Sequence, residues 1–113
     1  MAQKNTFIVF AITFTINIFS NQVDKLVLPE GFRVDIFADN LESPRQITET
    51  KDGYIIVGSK NGNKIYALFD KDEDGVAEEK YTVASNLKNP TGVTYHDGNL
   101  YFSEIEVIWV IKE

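Results

Sequence analysis

The chain has 113 residues, of which 43% are hydrophobic and 25% are charged, a composition typical of one globular domain and unlike that of a disordered or fibrous protein. Its formal net charge of −6 at pH 7 argues against nucleic acid as a partner, because nucleic-acid-binding proteins usually present a basic face. The absence of cysteine excludes disulfides, thiolate metal sites and c-type haem attachment.

Residues 1–20 are predicted to form a secretory signal peptide. Lys4 precedes an uncharged run from Thr6 to Phe19, which is shorter than a spanning helix and is interrupted by polar residues. The alternatives are an uncleaved anchor or a β-rich core segment. The pattern predicts a periplasmic or secreted protein without a stable membrane span, and residues 21–31 are interpreted as a linker or entry segment.

From Leu28 onward the sequence consists of short β-type runs separated by turn residues, which predicts an all-β fold. The run at 32–38 alternates apolar and polar residues, as a half-buried strand does. Further strands are predicted at 45–50, 54–58, 64–69, 79–84, 93–95, 100–103 and 107–111. Turn pairs that tolerate positive φ separate several of these strands: Asp52-Gly53, Asn61-Gly62, Asp74-Gly75 and Asp97-Gly98.

One phrase occurs twice, as Asn40-Leu41-x-x-Pro44 and 46 positions later as Asn86-Leu87-x-x-Pro90. Self-similarity at this period, with about four strands per unit, is typical of β-propeller blades. We predict an incomplete propeller with a closing strand at 32–38, a blade at 40–85 and a partial blade at 86–113, about one and three-quarter blades in all. Because repeat arrays generally need at least three units to bury a continuous core, we expect the chain to be part of a longer propeller, the alternative being assembly with other chains.

Four sequence motifs, taken in chain order, resemble the N-terminal part of the pyrroloquinoline-quinone-dependent sugar dehydrogenases. The similarity is greatest to the glucose/L-sorbosone dehydrogenase branch. The four motifs are the entry Leu-Pro-x-Gly-Phe from Leu28, the Pro44-Arg45 step, the acidic loop "DKDEDGVAEE", and "P-x-G-V-x-x-x-x-G-x-L-Y" from Pro90. The resemblance implies a six-bladed periplasmic propeller that binds pyrroloquinoline quinone at its axis, uses calcium, and oxidises sugars or sugar aldehydes.

The resemblance also implies a small sugar as substrate and an electron-acceptor protein as a partner. The catalytic histidine and the cofactor-gripping arginines of that family come from later blades, so we expect this chain to be an N-terminal fragment that is inactive alone. Two alternatives stay open: a calcium-dependent propeller hydrolase of the lactonase or gluconolactonase type, and a non-enzymatic propeller that binds a carbohydrate or a protein.

The acidic loop is the sharpest local motif. Asp70, Asp72 and Asp74 alternate before a glycine, as in the first half of a calcium loop, and the Val76 carbonyl and Glu78 carboxylate could complete the ring. The twelfth position lacks the bidentate glutamate of an EF-hand and no helices are predicted on either side. The motif therefore predicts a hairpin loop that either binds calcium or is a solvated acidic turn.

Arg45 begins the predicted innermost strand of the first blade, where its guanidinium could bind a carboxylate of an anionic quinone or pair with Glu49 or Asp35. Glu104 has a comparable place after the second blade's central strand. His96 is the only histidine, and we interpret it as an exposed turn residue rather than a general base. Four aromatic residues are predicted to pack in the core: Tyr66, Tyr101, Phe102 and Trp109.

Overall fold

A computed structural model of the protein describes residues 23–112, so the predicted signal peptide at 1–20 lies outside the described residues. The chain divides into two units, residues 1–34 and 35–113. The described part of the first unit contains two hydrogen-bonded turns, in which Leu26 donates to the Val23 carbonyl and Phe32 donates to the Pro29 carbonyl. Among residues 23–112 there is no helix of the length and hydropathy that crossing a membrane would require.

The second unit is built from seven strands in two antiparallel sheets, which confirms the predicted all-β class. The strands are β1 (Pro44–Glu49), β2 (Ile55–Ser59), β3 (Ile65–Phe69), β4 (Glu79–Ala84), β5 (Val93–His96), β6 (Asn99–Ser103) and β7 (Ile108–Lys112). The first sheet has the order β1-β2-β3-β4 and the second has the order β5-β6-β7. Each strand after residue 40 was predicted to within one residue at both ends.

The repeated phrase has the same backbone conformation in both copies. Asn40 and Asn86 have φ of 54° and 59°, and Ser43 and Asn89, each directly before a proline, have φ of 50° and 49°. Asparagine is among the few non-glycine residues that enter this left-handed region readily, which explains its place at the start of each copy. The sequence repeat is therefore a repeat of local structure that leads into β1 and into β5.

The two sheets bury one continuous apolar core between them. Their backbones approach most closely at β1 and β5, the first strand of each sheet. Leu100 and Phe102 of β6 are buried against β2 and β3 of the first sheet. The residues of the first sheet that are buried in this core are Ile56, Ile65 and Ala67. Burial of side chains of this size contributes about 1.5–3 kcal/mol each, so this interface is a main source of stability for the pair of sheets.

The opposite face of the first sheet is covered by the chain that precedes it. Phe37, Ala38 and Leu41 pack against a second apolar cluster, which contains the buried residues Val57, Tyr66 and Leu68. The backbone amide of Ala77 donates a 2.8 Å hydrogen bond to the Phe37 carbonyl, which holds this covering segment in place.

Residues 32–38 form no strand in this structure, and the closing strand expected there, whose partner would be a blade at the other end of a complete propeller, stays a prediction. Phe37 and Ala38 pack their side chains on the face of the first sheet instead of joining a ladder. The prediction for the aromatic residues is confirmed for Tyr66 and Phe102, which are buried. It is wrong for Trp109, which is 47% exposed because β7 is the free edge of the second sheet.

Candidate functional site

The acidic loop connects β3 to β4, as the sequence predicted for a hairpin, and carboxylates organise its backbone. Asp70 accepts hydrogen bonds from the amides of Asp74 (3.2 Å, Oδ1) and Gly75 (2.8 Å, Oδ2). Glu78 Oε2 accepts one from the amide of Lys71 at 2.8 Å, which closes the loop across its base. Gly75 has φ of 92°, a conformation that favours glycine. The turn is thus shaped by the same side chains that the motif singled out.

Four of the predicted ligands lie close together in this loop. Carboxylate oxygens of Asp70, Asp72, Asp74 and Glu78 all lie within 4.8 Å of one another. Asp70 is half-buried and the other three are exposed. Such a set of hard oxygen donors fits the ligand preference of Ca²⁺, which takes six to eight oxygens. The fifth predicted ligand, Val76, belongs to the same loop, where its amide donates to Asp74 Oδ1 at 2.8 Å.

One of these four carboxyls, that of Asp72, has a raised pKa. Desolvation, together with the charges of Asp74, Glu78 and Asp70, raises the pKa of Asp72 above its ordinary value of 3.8, although a hydrogen bond from the Asp74 amide opposes the rise. The ionised loop therefore contains repulsion that a bound cation would relieve. An exposed acidic turn needs no ion to exist, so geometry alone leaves calcium binding as a hypothesis.

Arg45 lies at the start of β1, the strand of the first sheet nearest the second sheet. Its side chain is exposed, and it forms no ion pair or hydrogen bond with another side chain of residues 23–112, so the alternative pairings with Glu49 and Asp35 are not observed. A guanidinium in this state can bind an anionic group through paired hydrogen bonds. His96 is exposed at the end of β5, as predicted.

Glu104 connects the segment that contains Lys88 to strand β7, which contains Trp109. Its carboxylate accepts a hydrogen bond from the backbone amide of Lys88 and one of 2.7 Å from Trp109 Nε1. These bonds lower the pKa of Glu104 below its ordinary value of 4.5, because both stabilise the ionised form. The structure thus brings Glu104 to Lys88 and Trp109 and does not bring it to Arg45 or to the acidic loop.

Sequence reasoning missed the contacts that connect the two copies of the repeat. The amide of Tyr95 donates to Thr48 Oγ1 at 3.2 Å, and the amide of Ser59 donates to the Pro90 carbonyl at 2.9 Å. A Cβ on Gly58 would lie 2.5 Å from the Thr91 carbonyl oxygen, so only glycine allows the second corner to approach β2 this closely. The only local signal was a glycine inside a strand, which often marks close backbone approach.

The fold and the candidate site together define the structural class of this protein. It is an all-β protein of repeated antiparallel sheets with an acidic hairpin loop. Residues 32–103 match the model of a family described as "Domain of unknown function (DUF7133)", and the chain belongs to this family. A protein of Borreliella burgdorferi, named as uncharacterized, is 39% identical over 88 residues. The match covers 77% of this chain and 21% of that relative, so the chain spans about a fifth of the relative's length. No solved structure matches significantly.

Proposed function

We propose that this chain forms the first blades of a six-bladed β-propeller, and that the complete propeller is an exported, pyrroloquinoline-quinone-dependent dehydrogenase of sugars or sugar aldehydes. The observation that supports the architecture is the repeated corner: the same left-handed residues before Pro44 and Pro90 lead into β1 and β5, which lie side by side. In a propeller the first strand of each blade lines the central channel. The proposal for the chemistry rests on the sequence resemblance, whose motifs fall at these corners and hairpins.

In this proposal Arg45 binds an anionic part of the cofactor. It begins a channel-side strand, and its guanidinium is free of the described carboxylates. Pyrroloquinoline quinone, when bound, takes up the hydride and the proton that an aldose loses on oxidation to its lactone. The residues of this chain would orient the cofactor and form one wall of the channel, while later blades would supply the general base and an electron-acceptor protein would reoxidise the cofactor.

The acidic loop has a separate place in the proposal. Asp70, Asp72, Asp74 and Glu78, together with the Val76 carbonyl, would bind Ca²⁺ at the hairpin between β3 and β4. Arg45 lies at the start of β1 and the loop lies between the outer strands, so we assign this ion a structural role rather than a catalytic one. The convergence of four carboxylates within 4.8 Å supports this part of the proposal.

A binding measurement on the full-length gene product tests the proposal. Pyrroloquinoline quinone is titrated in the presence of Ca²⁺, and saturable binding is expected. Arg45→Ala should weaken that binding about ten- to hundredfold, since a charge-assisted hydrogen bond contributes about 1.5–3 kcal/mol. Lys51→Ala, an exposed cation in the turn after β1, is the matched control and should bind like the wild type.

Two results would contradict the proposal. Absence of saturable quinone binding would remove the dehydrogenase function altogether. Equal affinities of the Arg45→Ala and Lys51→Ala variants would remove the role of Arg45.

A further inference from the structure

The second sheet has a face whose counterpart in the first sheet is buried. Val57 pairs with Tyr66 between β2 and β3, and Phe102 pairs with Trp109 between β6 and β7. The 46-residue repeat places Ile47 on Val93, and these residues pair with Val57 and Phe102 respectively, so Phe102 corresponds to Val57 and β7 corresponds to β3. Three residues of the first sheet therefore have counterparts in the second: Ile56 corresponds to Tyr101, Ile65 to Ile108, and Ala67 to Val110.

In the first sheet this face is covered by the next sheet along the chain. Ile56, Ile65 and Ala67 are 4%, 0% and 6% exposed, and they pack against Leu100 and Phe102 of β6. The interface between the two sheets thus shows what covers this face of a sheet. It is covered by the opposite face of the sheet that follows it in the chain.

In the second sheet nothing among residues 23–112 covers the corresponding face. Ile108 is 77% exposed and Val110 is 42% exposed. A shallow cavity of about 260 Å³ lies on this face, with Thr94, Tyr101 and Ile108 in its lining. Exposed apolar patches of this kind mark interaction surfaces.

A hydrogen-bonding group is also repeated on this face. Thr48 of β1 accepts a hydrogen bond from the amide of Tyr95 in the next sheet. Thr94 of β5 holds the corresponding position, is exposed, and lines the cavity. The second sheet therefore presents both the apolar residues and the hydroxyl that the first sheet uses to bind its neighbour.

We infer that the face of Thr94, Tyr101, Ile108 and Val110, the docking face, binds a third antiparallel sheet formed by the chain that follows β7 in the full-length gene product. The inference rests on the proposed propeller architecture and adds the surface and its occupant. It continues an interface already present in the structure, the one between the first and second sheets. The relative from Borreliella burgdorferi, of which this chain spans 21%, has ample further chain to supply such a sheet.

Cysteine labelling tests the inference, because residues 1–113 contain no cysteine and any cysteine elsewhere in the full-length gene product is first replaced with serine. Val110→Cys and, as a second position on the docking face, Thr94→Cys are made in the full-length gene product and reacted with a maleimide. Tyr81→Cys on β4 is the matched control, since Tyr81 is 50% exposed against 42% for Val110. We expect both docking-face cysteines to react at least about tenfold more slowly than Cys at 81, because a covered side chain reacts only after local opening.

Reaction of both docking-face variants at the control rate would overturn the inference. So would protection that is lost on dilution from dimer to monomer, because a second copy would then be the occupant. A stop codon directly after the codon of residue 113 would overturn it as well. The measurement needs neither quinone nor sugar, so a failure of the proposed enzymatic function leaves its result unaffected.

Discussion

The amide of Tyr95 donates a hydrogen bond to the hydroxyl of Thr48, 47 positions earlier in the chain, and this bond joins the first strand of one sheet to the first strand of the next. The two residues stand at β1 and β5, where the sheets approach most closely. The bond shows that the repeated units interact through specific polar geometry as well as through apolar burial.

Replacing the Thr48 hydroxyl should loosen this junction locally. Thr48→Val keeps the shape but removes the acceptor, which leaves the Tyr95 amide without this partner at a cost of about 1–3 kcal/mol. We expect faster hydrogen exchange at the Tyr95 amide, by about tenfold or more for each 1.4 kcal/mol lost. Thr48→Ser retains the hydroxyl and serves as the control. Equal exchange rates in the two variants would show that the bond contributes nothing to the junction.

Gly58 should be intolerant of any side chain. Its missing Cβ leaves room for the Pro90 and Thr91 carbonyl oxygens, which would lie 2.7 Å and 2.5 Å from a Cβ. Because both obstacles are backbone atoms, Gly58→Ala should lower the free energy of unfolding by about 1–3 kcal/mol or more through overpacking. Urea unfolding of Gly58→Ala and of the wild type makes the comparison, and equal midpoints would contradict the close packing of the second corner on β2.

The Asp72→Asn substitution should have opposite effects on the melting temperature without and with Ca²⁺. Its raised folded pKa means that the folded state binds more protons than the unfolded state just above pH 3.8, so the stability contribution of this group falls as pH rises through the folded pKa. At pH 7 with chelator, Asp72→Asn should therefore raise the melting temperature slightly. With excess Ca²⁺ the same variant should melt below the wild type, because a ligand is lost.

Asp52→Asn, in the exposed turn after β1, is the control for removal of one negative charge and should show no such reversal. Thermal melts in chelator and in Ca²⁺ provide the measurement. An Asp72→Asn melt that shifts in the same direction under both conditions would identify the loop as a solvated acidic turn.

Protonation of the Glu104 carboxylate at low pH should release the indole N–H of Trp109. The lowered pKa of Glu104 means that its contribution to stability is fully present above pH 4.5 and is lost as pH falls through the lowered value. Trp109 is the only tryptophan, so its fluorescence reports release of its indole N–H from the carboxylate. We expect an emission change on acidification below pH 4.5 that is absent from Glu104→Gln. Glu106→Gln should retain the change, and its loss in both variants would show that another group causes it.

Local sequence signals were sufficient for the strands and hairpins. Alternation of apolar residues and the Asp-Gly turn at 97–98 act over a few residues, which is why β5 and β6 were predicted almost to the residue. The carboxylate cluster was predictable for the same reason, since Asp70 and Glu78 belong to one loop.

Features that depend on distant neighbours were not predictable in this way. Alternation at 32–38 could not reveal whether a partner strand was present, and Phe37 instead packs on a sheet face. The aromatic character of Trp109 indicated burial, but exposure depends on what covers β7. The bond between Thr48 and Tyr95 depends on the packing of two sheets, which no local pattern encodes.

Turnover by the full-length gene product tests the central proposal most directly. The protein is supplied with pyrroloquinoline quinone and Ca²⁺, an aldose or L-sorbosone is added as electron donor, and reduction of an artificial dye is followed. The account predicts dye reduction that requires both the quinone and the sugar, and that is weakened in the Arg45→Ala variant but not in Lys51→Ala. A folded protein that binds no quinone and reduces no dye with any such donor would contradict the account.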